Sequence, residues 1–271
     1  MSEEAFPIGF TFSQSSLQDY TDCPRCFQLR YLDQLAWPAV EVAPVLENER
    51  RQQEGKLFHR LVQQHRLGLP VEKITPLAST PALRRWWENY INYDFKLSGW
   101  SDFTEFVLST PIGFHRLVAK YDLLSVHNGK VVIFDWKTYH KRPRDEWMAA
   151  RLQTRVYQGL LVQAGACLNG HKPFEPEHVE MVYWYANDPA QPARFPYTTS
   201  RYTRDWDDLT ALINEIIHHR VFAMTEDGRR CSFCPYRSYC NRGIEPGEDA
   251  DTELEATESE FNFEQIQEIA Y

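Results

Sequence analysis

Apolar positions recur along this chain with two different periods, and the switches between them outline the elements. Residues 47–67 (ENERRQQEGKLFHRLVQQHRL) set Leu57, Phe58, Leu61 and Val62 at helical spacing, which predicts a helix with one apolar stripe. Residues 81–97 open on Pro81, a residue tolerated in a first helical turn, and predict a second helix. Three strand-like runs follow at 103–109, 116–126 and 130–138, with His127-Asn128-Gly129 as the tight turn between the last two. Residues 145–164 (DEWMAARLQTRVYQGLLVQA) predict one long helix with an acidic start and a stop at Gly165. Residues 178–186 then predict a strand, and 205–224 a last helix opening on acidic residues. A meander followed by a helical crossover to a further strand predicts an α/β fold, a mixed central sheet flanked by helices.

Composition narrows the class. With 43% hydrophobic and 25% charged residues among 271, the chain matches ordinary globular proteins, and no apolar run is long enough to cross a bilayer. The first residues are acidic and no apolar signal core follows, so we expect a cytoplasmic protein whose cysteines are reduced or metal-bound. The net charge of −9 is uneven: residues 244–271 hold ten Asp/Glu and no Lys/Arg, which leaves the body, 1–243, at +1. We therefore expect one domain over 1–243 and a solvated acidic tail over 244–271. The tail's other reading is a guard over a basic groove, or a docking segment through Phe261 and Phe263.

The run 130–138 carries the candidate chemistry. Alternation puts Val131, Ile133, Asp135 and Lys137 on one face and Val132, Phe134 and Trp136 on the other, so a buried strand ends by delivering Asp135 and Lys137 side by side. A carboxylate that anchors a hard divalent cation beside an ammonium that orients the attacking hydroxide suits phosphodiester hydrolysis; a strand-end salt bridge is the plain alternative. Asp122 lies in the otherwise apolar RLVAKYDLLSV. A hairpin turning at Asn128-Gly129 sets it opposite Asp135, a repulsion that a cation would relieve and that would otherwise raise one carboxyl pKa. His59 is a candidate ligand or a boundary histidine, with Glu54 and His65 as rivals. Gln153 and Tyr157, at i and i+4, could present an amide and a phenol to the site, or belong to an ordinary helix boundary.

Cysteines stand at Cys23-x2-Cys26 and at Cys231-x2-Cys234-x5-Cys240, the local spacing of metal ligands, and zinc and an iron–sulfur cluster both fit it. Two C-x2-C knuckles favour zinc; one early cysteine with the late C-x2-C-x5-C favours [4Fe-4S]. Either would tie the two ends of the body together. Cys167 reads as a small buried residue.

Taken in order, these fragments resemble the PD-(D/E)XK nucleases of the RecB-like branch that carry an iron–sulfur staple, among them the helicase-associated AddB-type domain and the nuclease that helps process CRISPR spacers. QSSLQDYTDCP resembles the opening motif with its first cluster cysteine at Cys23, GKLFHRLV the helix with a metal-binding His59, AKYD the acidic ligand Asp122, FDWKT the signature at Asp135 and Lys137, LQTRVYQ the Q-x3-Y motif at Gln153 and Tyr157, and CSFCPYRSYC the late cysteines Cys231, Cys234 and Cys240. The resemblance implies a restriction-endonuclease-like core and Mg²⁺ or Mn²⁺ held by His59, Asp122 and Asp135, with a main-chain carbonyl near Trp136. It also implies a [4Fe-4S] cluster on Cys23, Cys231, Cys234 and Cys240, and DNA, as single strands or ends, as substrate in repair, recombination or CRISPR adaptation, with exonuclease action ahead of endonuclease. The chain departs from the family at Ala119, often glycine, and at the extra thiol Cys26. No phosphate-loop motif is present, so a motor such as a helicase, or another repair or CRISPR protein, would be a separate partner. Lys120, Lys141, Arg142, Arg144, Arg151 and Arg155 are expected near phosphates. A non-catalytic nucleic-acid-binding or assembly module, and an electron carrier, are the competing readings.

Overall fold

The structure, a computed structural model, describes residues 6–36, 43–139, 141–232 and 234–243, with the backbone alone over 43–49; the acidic tail lies outside the described residues. The elements are β1 (Thr11–Ser13), α1 (Gln14–Asp22), α2 (Pro24–Phe27), α3 (Ala43–Arg66), α4 (Val71–Ile74), α5 (Pro81–Ile91), β2 (Ser101–Ile112), β3 (His115–His127), β4 (Lys130–Lys137), α6 (Asp145–Ala150), α7 (Leu152–Ala164), β5 (Val179–Tyr185), β6 (Ala193–Pro196) and α8 (Thr199–His218). Asn128 and Gly129 take φ of 49° and 76°, the left-handed pair that closes a two-residue hairpin between β3 and β4.

The sheet is mixed and α/β, as the element order predicts. β2 pairs antiparallel with β3 along its whole length, while the other edge of β3 is shared: β1 runs parallel to Arg116–Val118, and β4 antiparallel to Leu123–His127. The α6–α7 crossover returns the chain to β5, parallel to β4 from Val131↔Val179 to Lys137↔Tyr185, and β6 closes the edge. Two cores cover the two faces. Val131, Ile133, Tyr121 and Leu124 pack with α1, α7 and α8 through Leu17, Val156, Leu160 and Ile213. Phe134, Trp136, Leu123 and Trp184 pack with α3 and α5 through Phe58, Leu61, Trp86 and Tyr90.

Several boundaries differ from expectation. The predicted helix 81–97 stops at Ile91, because Tyr93 and Phe95 turn back onto Trp184 at 5.9 and 6.0 Å. The helix 145–164 is broken at Arg151, which takes an extended ψ of 146°; the Thr154 hydroxyl accepts the role of the missing helical donor by bonding the Met148 carbonyl at 2.6 Å. Gly165 ends α7 with φ −78°, and its need for glycine is steric: a Cβ there would lie 2.9 Å from Leu161. The last helix spans Thr199–His218 rather than 205–224, capped by the Thr198 hydroxyl, and Asp205 is buried inside it against Arg155 at 2.9 Å. Cys167 is exposed, on a 3-10 turn after α7, and not buried. β1 and β6 are short strands with too few residues to show a period.

Candidate active site

The fork on the edge of β3 builds the site. β1 leaves that edge at Val118 and β4 joins it at Leu123, so Ala119–Asp122 have neither neighbour there. Side-chain alternation also slips at this level: Tyr121 faces one core, Leu123 the other and Leu124 the first again. Across the ladder, Thr104↔Leu123 and Phe106↔Tyr121 pair, while Glu105 between them takes a left-handed φ of 52°, a conformation that costs a non-glycine residue about 1 kcal/mol or more. Asp122 stands opposite this kink. The register between β3 and β4 follows the expected hairpin for five pairs and then opens, so Asp122 does not face Asp135 across a ladder; its Oδ2 instead accepts the Trp136 main-chain N–H at 2.9 Å.

His59 reaches the fork from α3. Its Nδ1 lies 3.3 Å from Asp122 Oδ1, and its Nε2 lies 2.8 Å from the Trp136 carbonyl. Both ring nitrogens face acceptors, which only a doubly protonated ring satisfies. Burial pushes the imidazole pKa down, but the Asp122 charge and hydrogen bond, with Asp135 behind them, lift it to about 9. Burial likewise pushes the Asp122 carboxyl up, and His59, the Trp136 N–H and Lys137 hold it below the usual carboxylate range. The raised carboxyl expected of facing aspartates is therefore absent at Asp122, because a cation, not a second carboxylate, sits against it. One turn before His59 on the same helix, Gly55 approaches the strand end so closely that a Cβ would lie 3.2 Å from Thr138 Oγ1. Nothing in the apolar pattern singles out Gly55; its place four residues before the histidine in GKLFHRLV was the available signal.

Asp135, Lys137 and Gln153 form a buried set, 2%, 5% and 1% exposed. Lys137 Nζ lies 2.9 Å from Asp135 Oδ2 and donates to Gln153 Oε1 at 3.0 Å, and Gln153 Nε2 donates to Asp135 Oδ1 at 2.8 Å. The Tyr183 hydroxyl donates to the same Gln153 oxygen at 3.3 Å. A buried ammonium is tolerated only when paired in this way. The break at Arg151 starts α7 at Leu152, one residue before Gln153, and so aims the amide at the strand end. Tyr157, one turn on, is a core residue: its ring packs 4.9 Å from Tyr121, whose hydroxyl donates to the Tyr157 carbonyl. His65 is not at the site; its Nδ1 meets the Tyr90 hydroxyl at 3.1 Å in the second core. Arg155 is committed to Asp205 and Asp208, and Lys120 pairs with Glu105, so neither is an open phosphate contact.

At the corner where the α1–α2 segment meets residues 223–242, Cys23, Cys26, Cys231, Cys234 and Cys240 line one small cavity of about 20 Å³, walled further by Tyr236 and Arg242. The Cys26 and Cys234 sulfurs lie 4.0 Å apart, and the Cys26 contact, set against burial, lowers the Cys234 thiol to about 7. Cys23 Sγ accepts the Thr225 N–H at 3.4 Å. The segments 22–35 and 230–236 are also tied by Arg230 to Asp22 and by the Tyr236 hydroxyl to the Leu35 carbonyl. Among the described residues, no three His, Cys, Asp or Glu side chains stand as they are in an arrangement that holds a metal ion. At the fork the oxygens are turned to His59, Lys137 and a main-chain N–H, and at the corner the sulfurs ring a space rather than converge.

The family model described as the PD-(D/E)XK nuclease superfamily matches residues 11–241. A solved structure from Eubacterium rectale, provisionally named an exonuclease, is 11% identical with a TM-score of 0.51, covering 90% of this chain and 92% of that one, a likeness of fold. The structure of the protein SSO0001 is 13% identical with a TM-score of 0.40 over 87% of each chain, too distant to carry an argument. No curated protein matches the chain. None of the described helices is long and apolar enough to cross a membrane.

Proposed function

Because the chain belongs to the PD-(D/E)XK nuclease superfamily, we propose that it is a metal-dependent deoxyribonuclease of the RecB-like branch that degrades single-stranded DNA or DNA ends, as an exonuclease. The observation that carries this reading is the buried Lys137, held by Asp135 and Gln153 at a strand end beside the His59–Asp122 pair. The donor set fits Mg²⁺ or Mn²⁺: the Asp122 and Asp135 carboxylates and the Trp136 carbonyl are hard oxygens, and His59, once one ring nitrogen has given up its proton, would add a nitrogen donor. Such an ion lowers the pKa of water and neutralises phosphate charge when bound. The chain's own residues do the rest. Lys137 presents a fixed positive charge to the attacking oxygen and the phosphate, Gln153 holds Lys137 and Asp135 in register, and Tyr157 with Tyr121 keeps α7 seated on β3.

We also read the five-cysteine cavity as a structural metal staple, a [4Fe-4S] cluster on Cys23, Cys231, Cys234 and Cys240, with zinc as the alternative. The single early ligand plus late C-x2-C-x5-C spacing and the shared cavity support this. Iron, acid-labile sulfide and zinc analysis of anaerobically prepared protein separates the two. A helicase or other repair or CRISPR protein would supply any motor.

The test of the catalytic reading is cleavage of end-labelled single- and double-stranded DNA with Mg²⁺, Mn²⁺ or EDTA, wild type against Lys137→Ala. Metal-dependent degradation lost in the variant is expected. A folded, metal-loaded wild type that cleaves neither substrate overturns it.

A further inference from the structure

A line of stacked groups runs outward from the candidate site. Lys137 Nζ lies 5.6 Å above the Tyr139 ring, and the Tyr139 hydroxyl accepts from Arg151 Nη1 at 3.2 Å. Arg151, 8% exposed, lays its guanidinium 4.7 Å over the ring of Trp147. Trp147 ends the line on α6, with 41% of its surface open although Arg151 covers one face. This exposure is not forced by amphipathicity: the next residue, Met148, fills the core, and a polar side chain would serve a solvent position on so short a helix.

We propose that Trp147 is a stacking platform for an unpaired nucleobase of a single-stranded DNA substrate next to the scissile position. A guanidinium fixed on one face of the indole holds the ring in place and leaves its other face for a base, a combination that binds single strands with little sequence preference. The surroundings favour a base over a backbone contact. Glu146 beside Trp147 is exposed and repels phosphate, and Asp145 is neutralised by Arg142 at 2.6 Å, while the exposed Arg144 stands one turn back, where the strand's phosphate would lie. Bases in a duplex are already stacked, so the platform discriminates for unpaired ends.

This inference rests on the nuclease reading above, and the experiment separates the two. Anisotropy of a labelled ten-nucleotide oligothymidylate and of a blunt duplex hairpin is measured in EDTA for wild type, Trp147→Phe and Trp147→Ala. Cleavage by the same proteins is then followed with Mn²⁺. We expect Trp147→Ala to bind the single strand about tenfold more weakly, with a matching rise in KM, little change in kcat and no change on the hairpin. Trp147→Phe should recover most of the loss. Unchanged single-strand affinity and KM in Trp147→Ala, or equal losses on both substrates, overturn the platform. A wild type that cleaves nothing overturns the nuclease reading, and the binding data in EDTA still decide the platform.

Discussion

The fork and the cysteine corner differ in what holds them together. At the fork, His59 meets Asp122, Lys137 meets Asp135, and Gln153 bonds both members of that second pair. The protein supplies its own cations, so the arrangement persists without a metal, and the metal we propose there would serve chemistry. At the corner, five thiols border one cavity, and thiols are weak hydrogen-bonding groups. Their joint role, in our reading, depends on a metal that draws them in, and that metal serves cohesion. In that reading one molecule separates a self-supporting reactive centre from a centre that needs its ligand to hold shape.

The strongest way to break this contrast is at the corner. Cys23 and Cys231, two of the proposed staple ligands, are 208 positions apart, and a cross-link closing a loop of that length is worth about 5 kcal/mol in the chain-entropy account. The double variant Cys231→Ser, Cys234→Ser should lose stability of that order in denaturant titration, and equal stability of loaded wild type and variant would refute a structural staple. Next in size, Lys137→Ala should slow cleavage about a thousandfold. Because it also leaves Asp135 buried without its cation, Lys137→Gln, which keeps a hydrogen-bonding head, is the companion, and both should be checked for native melting before rates are compared. Third, EDTA should abolish cleavage while leaving the melting temperature in place, since the fork holds itself. A large drop in melting with EDTA, with the cluster metal still bound, would erase the distinction. The smallest expected effect sharpens it: Gly55→Ala gains about 1 kcal/mol of helix propensity and meets Thr138 Oγ1 at 3.2 Å, so stability should stay within about 1 kcal/mol while cleavage falls severalfold. Stability and activity measured on one sample decide whether close approach of α3 matters to the chemistry.

Local pattern carried much of this molecule. The meander, the hairpin at Asn128-Gly129 and the crossover to β5 follow from alternation, turn chemistry and one periodic helix, and the motifs nominate the residues that gather at the fork. What local pattern missed is decided by partners distant in the chain. The slip at Asp122 depends on Glu105 adopting a left-handed backbone across the ladder, and no composition around Glu105 announces it. The break at Arg151 lies inside a stretch with good helical periodicity; burial of Arg151 and the bond from Thr154 to Met148 outweigh a continuous helix. The early end of α5 follows from two aromatic rings claimed by the second core.

The shared edge of β3 and the corner contacts also bear on how the chain is made. β1 pairs with residues about a hundred positions later, and the segment from Asp22 to Leu35 meets its partners only near Ala223–Tyr236. A ribosome adds about 5–20 residues per second, so that segment waits roughly 10–40 s for the rest of its surroundings to emerge. Until β3 has emerged, Phe10, Phe12 and Phe27, whose rings later meet edge-on and tilted at 4.7 and 5.8 Å, have no sheet to cover them. Closure of the corner therefore comes after the sheet is made, and under the proposed staple a cell short of its metal would accumulate chains with finished sheets and an open corner.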